Sequence, residues 1–227
     1  MNRMDCMAYA VDKKTLATPH ALKYVVYRFI QAHHKAKLLQ RFTSLHKKKL
    51  LDFGAGSGAF CGYLAENFPQ LSVDLYDPSK PSLIRAAQLF GFSKNQIFDN
   101  PSQLKDEYYD IITSLYVYAY VPNKKQYWET LSSKLRRGGL LFVEVNGQQS
   151  LYCAFMRERI DTSWAIDFSK VPSDLELVGV YSNPYPSYLL NTWENPNPVI
   201  YTGKVVLAWL EKILRRPYQA IYVFKKR

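Results

Sequence analysis

The nine residues Leu50-Leu51-Asp52-Phe53-Gly54-Ala55-Gly56-Ser57-Gly58 constrain this chain more than any other stretch, because an apolar run meets an acid and then three alternating glycines. Such a run reads as a buried strand, and Ala59 to Asn67 beyond it reads as a helix. Glycine turns tightly at positive φ at no steric cost, and its missing Cβ lets a ligand approach the backbone. A strand, a glycine turn and a helix N-terminus together form a site whose amides point at a bound group. Glycine spacing then sorts the ligands. A dinucleotide loop is written GxGxxG and a triphosphate loop GxxxxGK with Ser or Thr. Here the order is GxGxG, Phe60 stands where a small residue would pack, and no lysine lies between Lys49 and Lys80. The loop suits a nucleoside with no phosphate chain.

The next segments fit one sheet. Leu71 to Asp77 reads as a second strand that ends on an acid 19 residues after Gly58. In a parallel α/β unit a carboxylate at that point faces ribose hydroxyls. Asp77 is therefore a ribose ligand, or the cap of a helix from Ser82 to Phe90, since Asp77-Pro78-Ser79 is also a helix start. Gln96 to Asn100 reads as a third strand and Tyr109 to Leu115 as a fourth. A helix from Lys124 to Leu135, a turn at Arg137-Gly138-Gly139 and a fifth strand from Leu140 to Val145 follow. Leu175 to Tyr181 and Gln219 to Phe224 pair as the last two strands, with a helix from Val199 to Arg215 between them. This alternation predicts an α/β fold with a doubly wound, seven-stranded, mostly parallel sheet and ligands at the carboxyl ends of its strands. Residues 1–46 form an N-terminal helical lid, with a helix from Pro19 to Thr43, and 47–227 the main domain, with 199–216 inserted near its end.

Composition limits the setting. With 227 residues, 48% hydrophobic and 22% charged, the chain can bury one substantial core. Cys6, Cys61 and Cys153 lie far apart and offer neither a disulfide framework nor a zinc spacing, which fits a reducing, cytoplasmic protein. No run of about 18 apolar residues is present to span a bilayer. The net charge of +11 is spread over short clusters such as Lys47 to Lys49, Arg136-Arg137 and Lys225 to Arg227, so solvated loop tips explain most of it better than a nucleic-acid face does.

Over residues 48 to 147 the chain resembles the class I S-adenosylmethionine-dependent methyltransferases, with a core like that of the ubiquinone-type small-molecule enzymes: an apolar strand, an acid, GxGxG, and an acid ending the next strand. The resemblance implies S-adenosylmethionine as cofactor. It places Asp52, Gly54, Ala55, Gly56, Ser57 and Gly58 against it, with Asp77, Pro78 and Ser79 at the ribose. Asp99 and Asn100 would meet adenine, though the pair before Pro101-Ser102 is equally a turn signal. Ser114 and Leu115 complete the cofactor set. Tyr116-Val117-Tyr118-Ala119-Tyr120-Val121-Pro122-Asn123 occupies the place of a segment often written EVLEHVPD in such enzymes. Tyrosines and alanine replace its two acids and its histidine, so no catalytic metal is expected.

Methyl transfer is an in-line displacement at an activated carbon, and alignment matters more than a strong base. Tyr116 and Tyr120 are the catalytic candidates, through hydroxyls of ordinary pKa about 10 or through cation–π contact. Alternatively, Tyr116, Tyr118 and Tyr120 pack along one face of a strand extension. Tyr24, Tyr27, Asn146 and Tyr185 are the candidate acceptor ligands. His20, His33, His34 and His46 all precede the loop, and none is a secure base. Asn183-Pro184-Tyr185-Pro186 follows the sixth strand rather than the fourth and reads as a proline turn.

The expected function is methyl transfer to a small organic acceptor. The alternatives are an RNA- or ribosome-directed methyltransferase, in which aromatic faces stack bases, and a non-catalytic S-adenosylmethionine-binding regulatory module. Three readings stay open for the apolar stripe of the inserted helix: core against the sheet, a cover for the acceptor pocket, or a peripheral contact with an anionic membrane or partner.

Overall fold

Seven strands hydrogen-bond in the order β3-β2-β1-β4-β5-β7-β6 to make a single sheet in the computed structural model, which describes residues 19–146, 165–183, 198–214 and 218–227. The strands are β1 (Lys49–Phe53), β2 (Ser72–Tyr76), β3 (Ile97–Phe98), β4 (Tyr109–Leu115), β5 (Leu135–Asn146), β6 (Leu175–Ser182) and β7 (Gln219–Lys226). The described helices are α1 (Pro19–Phe42), α2 (Ala59–Asn67), α3 (Lys80–Phe90), α4 (Lys124–Lys134) and α5 (Pro198–Ile213). Strands β1 to β5 run parallel, and β7 enters antiparallel between β5 and β6. The doubly wound, mostly parallel sheet is therefore as the alternation of elements predicts.

Two cores flank the sheet, and the pleat of β1 separates them. Leu51 and Phe53 face Tyr118, Tyr127, Trp128 and Leu131, where α4 packs. Leu50 faces Leu39, Leu64, Leu83 and Ala86, contributed by α1, α2 and α3. Period-two alternation in a strand sends neighbours to opposite faces, so a strand covered on both sides reads as a continuous apolar run. Helix α1 buries Ala36 and Leu39 in the second core, so it is a structural layer of the sheet as well as a wall of the cleft described below.

The chain leaves β1 toward β2 and β3 on one side, and the later strands build outward from β4 on the other. β1 and β4 are adjacent. Ligands in such folds sit outside the carboxyl ends of strands at this reversal. The glycine loop after Phe53 and the turn at Tyr116 after Leu115 both emerge there.

Several local expectations are corrected. Arg137-Gly138-Gly139 is not a turn between elements, because α4 passes directly into β5 at Leu135. Gly138 takes φ +73° and the register slips between Tyr109↔Leu135 and Ile111↔Leu140, so the glycines form an irregularity inside a long strand. The third strand shrinks to Ile97–Phe98, because Asn100 caps a short 3-10 turn at Pro101–Gln103. Helix α3 begins at Lys80, two residues before Ser82, with Ser79 as its N-cap. Tyr116, Tyr118 and Tyr120 do not extend a strand: Tyr116 has φ +66°, and Tyr118–Tyr120 is a 3-10 turn that buries Tyr118 and leaves Tyr120 exposed. Finally, the stripe of α5 is not core, since Val205, Val206, Trp209, Leu210, Ile213 and Leu214 are all exposed.

Gly58 shows how closely the loop is packed. It caps α2 at φ +75°, and a Cβ there would lie 2.7 Å from the Ala86 Cβ on α3. Gly56, at φ +55°, would meet nothing within 4 Å. Left-handed strain costs an L-residue about 1–2 kcal/mol, and overpacking adds about 1–3 kcal/mol. Gly58→Ala should therefore destabilise by about 2–5 kcal/mol, and Gly56→Ala by only about 1–2 kcal/mol. Urea unfolding of the two variants tests this, and an equal loss in both would refute the packing argument.

Candidate active site

The backbone of the glycine loop is stapled to the end of β2. The N–H groups of Gly54 and Ala55 both donate to the Tyr76 carbonyl, at 2.7 and 2.9 Å. One residue on, Asp77 Oδ2 accepts from the Gly56 N–H at 2.8 Å and Oδ1 accepts from the Ser79 N–H at 2.8 Å. Asp77 thus joins the loop to the start of α3, and its cap-like bond to Ser79 coexists with a role at the loop. An ionised carboxylate offers about four acceptor positions, so about two remain for a ligand's hydroxyls. Burial pushes the Asp77 carboxyl upward, while the two N–H groups pull it back.

Beneath the loop, Asp52 is almost fully buried. Its Oδ1 accepts from Thr113 Oγ1 at 2.7 Å and its Oδ2 from Cys61 Sγ at 3.3 Å. Burial raises its carboxyl to about 6, against the lowering effects of Thr113, Cys61 and Lys35, with Asp77 adding a smaller push upward. Cys61 is driven well above the ordinary thiol range by burial and by Asp52, so it stays a neutral donor.

A cleft opens above these groups, lined by Gln31, Ala32 and Lys35 of α1, by Asp52, Gly54 to Ser57, Ala59 and Phe60, and by Leu115 and Tyr116. One wall is a buried polar network. Lys35 Nζ lies 2.7 Å from Glu144 Oε2, with both side chains nearly inaccessible. Asn183 Nδ2 donates to Glu144 Oε1 at 2.8 Å and to Gln219 Oε1 at 3.1 Å. Lys35 Nζ also stands 5.7 Å from the centroid of the Tyr116 ring. The Tyr116 N–H donates to the Glu144 carbonyl at 3.2 Å, which pins the turn carrying that ring to β5. Sequence reading missed Gln31, Lys35 and Glu144. The one available signal was Glu144 itself, an acid inside the apolar run Leu140 to Val145, which calls for a buried partner.

The described lining gathers Asp52, Gly54, Ala55, Gly56, Ser57, Leu115 and Tyr116 from the residues expected in the site. Gly58 packs on α3, and Pro78 and Ser79 lead into that helix. Asp99 pairs with Lys80 at 3.0 Å and Asn100 accepts from the Ser102 N–H, so the turn reading describes this pair in the structure. Ser114 is buried and accepts a hydrogen bond from the Tyr127 hydroxyl at 2.7 Å. Tyr120 is outside the described lining. Tyr24, Tyr27 and Asn146 lie on described backbone, but their side chains, like the whole of Tyr185, fall outside the described part. His33 Nδ1 lies 2.8 Å from the Tyr63 hydroxyl, on the α1–α2 face. His46 lines a separate groove with Gln40, Asn67 and Gln70. Among the described residues no group of three or more His, Cys, Asp or Glu could hold a metal.

A family model for a methyltransferase domain matches residues 27–185. Malonyl-[acyl-carrier protein] O-methyltransferase 2 of Ilyobacter polytropus is 27% identical over 149 residues, which are 63% of this chain and 58% of that protein. The match thus spans less than two thirds of that relative's length. A chain from the Haloferax volcanii complex containing the Trm112 methyltransferase activator superposes with a TM-score of 0.66 at 16% identity, covering 100% of this chain and 98% of that one. Phosphoethanolamine N-methyltransferase 2 of Haemonchus contortus, solved with phosphomonomethylethanolamine and S-adenosylhomocysteine, gives 0.55 at 13% identity over 95% of this chain and 60% of that one. At these identities the solved structures speak for the fold.

Two outcomes follow from the buried charges. Glu144→Gln leaves Lys35 without its counter-ion and should cost about 3–5 kcal/mol, whereas Lys35→Met combined with Glu144→Gln should recover most of it. Denaturant unfolding of the single and double variants decides this, and additive losses would refute the pairing. Asp52 gives a pH signature. Its carboxyl titrates near 6 when folded and near the ordinary 3.8 when unfolded, so the folded state holds more protons between those values. Stability should then fall as pH rises from about 4 to about 6, by about 3 kcal/mol relative to Asp52→Asn. A pH-independent difference between wild type and variant would overturn the assignment.

Proposed function

The chain belongs to the methyltransferase-domain family as a class I S-adenosylmethionine-dependent enzyme, and we propose that it methylates a small organic acceptor by in-line displacement without a metal. The observation that carries this reading is the double role of Asp77, which accepts from the Gly56 N–H with one oxygen and from the Ser79 N–H with the other. That geometry fixes the glycine loop and keeps acceptor capacity at the place where the ribose of the cofactor would lie. Gly56, with open space where a Cβ would project, lets the ligand approach the backbone.

When bound, S-adenosylmethionine supplies a methyl carbon activated by a positive sulfonium. The residues of the chain would do the rest. Gly54 to Ser57 and Asp77 would hold the nucleoside. Asp52 would sit beneath the loop, and Tyr116 would turn an aromatic face toward the positive charge, an attraction of about 0.5–2 kcal/mol. Alignment and exclusion of water would then carry the catalysis.

The acceptor atom we favour already carries a reactive lone pair at neutral pH. Tyr116, Ala119 and Tyr120 occupy the positions of the acids and histidine in the EVLEHVPD segment often found in the enzymes this chain resembles, so the segment supplies no ready base. The Ilyobacter relative is named for O-methylation of a malonyl group, and a carboxylate acceptor needs no deprotonation at neutral pH. An RNA acceptor rests mainly on the net charge of +11; methyl transfer to tRNA or rRNA would displace the small-molecule reading. The scattered cysteines favour a cytoplasmic setting, and no described helix is long and apolar enough to cross a membrane.

Calorimetry with S-adenosylhomocysteine tests the assignment. Wild type should bind, and Asp77→Ala should bind about ten- to a hundredfold more weakly, the loss expected for hydrogen bonds to a charged group. Undiminished binding by the variant would remove Asp77 from the site.

A further inference from the structure

Helix α5 presents its apolar side to solvent. Val205, Val206, Trp209, Leu210, Ile213 and Leu214 recur at helical spacing and are exposed, Trp209 at 61% and Ile213 and Leu214 at 54% each. Lys204, Leu207 and Ala208, on the opposite side, are half-buried. A surface helix normally turns its apolar stripe inward and its charges outward. We propose that this face docks on an anionic lipid surface, with the helix lying among the headgroups.

Length and composition agree with that occupant. The helix has 16 residues, about 24 Å at 1.5 Å per residue, and no described helix meets the requirements of a membrane span. Aliphatic side chains with a tryptophan suit the boundary between headgroups and acyl chains. Charge supplies the lipid specificity. From Trp209 to Arg216 the sequence holds three cations, Lys212, Arg215 and Arg216, against the single acid Glu211, within a chain of net charge +11. Each cation near an anionic leaflet contributes about 1 kcal/mol.

A second copy of the chain fits less well. Taking a fully exposed large side chain as about 200 Å², the apolar face offers about 600 Å², below the roughly 800 Å² per partner of a stable interface. Two copies would also each bring +11 to the contact. RNA fits worse, because its phosphates could meet the cations but would leave the aliphatic side chains uncovered. The position is informative too. β6 ends at Ser182 and β7 begins at Gln219, with α5 between them in chain order, and Gln219 registers with Asn146 at the carboxyl end of β5. That is the end of the sheet that carries the glycine loop, so an acceptor held at a lipid surface would approach from the side on which the cleft opens.

Cosedimentation of the full chain with vesicles tests the proposal. Vesicles of phosphatidylcholine mixed with phosphatidylglycerol should bind it, pure phosphatidylcholine should not, and added salt should release it. Trp209→Glu should weaken binding by about tenfold or more, and so should K212E, R215E and R216E combined. Unchanged thermal melting by circular dichroism would show that the variants are folded. No binding to the anionic vesicles at low salt would overturn the proposal. So would binding that Trp209→Glu leaves intact, because charge alone would then explain it. A dimer in sedimentation equilibrium that Trp209→Glu dissolves would also overturn it and give the face to a second copy. Each readout is independent of whether S-adenosylhomocysteine binds.

Discussion

The hydrogen bond from the Gly56 N–H to Asp77, with the paired bonds from Gly54 and Ala55 to the Tyr76 carbonyl, is the joint on which the candidate site depends. A glycine loop alone has too many conformations to hold a ligand, since each free residue loses about 1–2 kcal/mol of backbone entropy on being fixed. Here that ordering is completed on folding by the adjacent strand. β2 lies beside β1 in register from Lys49↔Ser72 to Phe53↔Tyr76, so the carbonyl and carboxylate that finish β2 arrive level with the loop that finishes β1. Position in the sheet, more than any single side chain, brings these groups together.

A second constraint acts from above. The Lys35–Glu144 ion pair joins α1 to β5, and Asn183 and Gln219 extend the same network to the end of β6 and the start of β7. Such a network stabilises only when every member is satisfied, because a buried charge without its partner is costly. It therefore favours one placement of α1 over the cleft, while Ala36 and Leu39 supply the apolar seat. Hydrophobic burial gives the helix its affinity for the sheet. The ion pair gives it a register.

What was legible in the sequence follows the range of the interactions. The order of strands and helices, the glycine loop and the acid at Asp77 depend on local periodicity and short spacings, and the structure has them where the sequence puts them. The partnership of Lys35 with Glu144 spans 109 positions, and nothing local specifies it. Asn100 shows the opposite case, where position suggested adenine and the sequence equally signalled a turn, and the structure shows the turn bond to Ser102. Arg137-Gly138-Gly139 misled for a related reason. Glycines that normally end an element here permit a positive φ inside a strand whose partner continues past them.

The same reasoning separates α5 from the other helices. Its stripe has the spacing of a core helix, and spacing says only that one face is apolar, never what that face meets. The two cores of the sheet are filled by α1 to α4, which leaves α5 with no described layer to complete. An apolar face in that position loses the solvent-exclusion gain that the other helices obtain by folding, and can recover it only by binding. The strand ends on either side of it in the chain, Ser182 and Gln219, lie at the carboxyl end of β5, the end that carries the glycine loop. At the opposite end of the sheet Lys134 pairs with Asp106 and Lys226 with Glu107, and both lysines also donate to backbone carbonyls there.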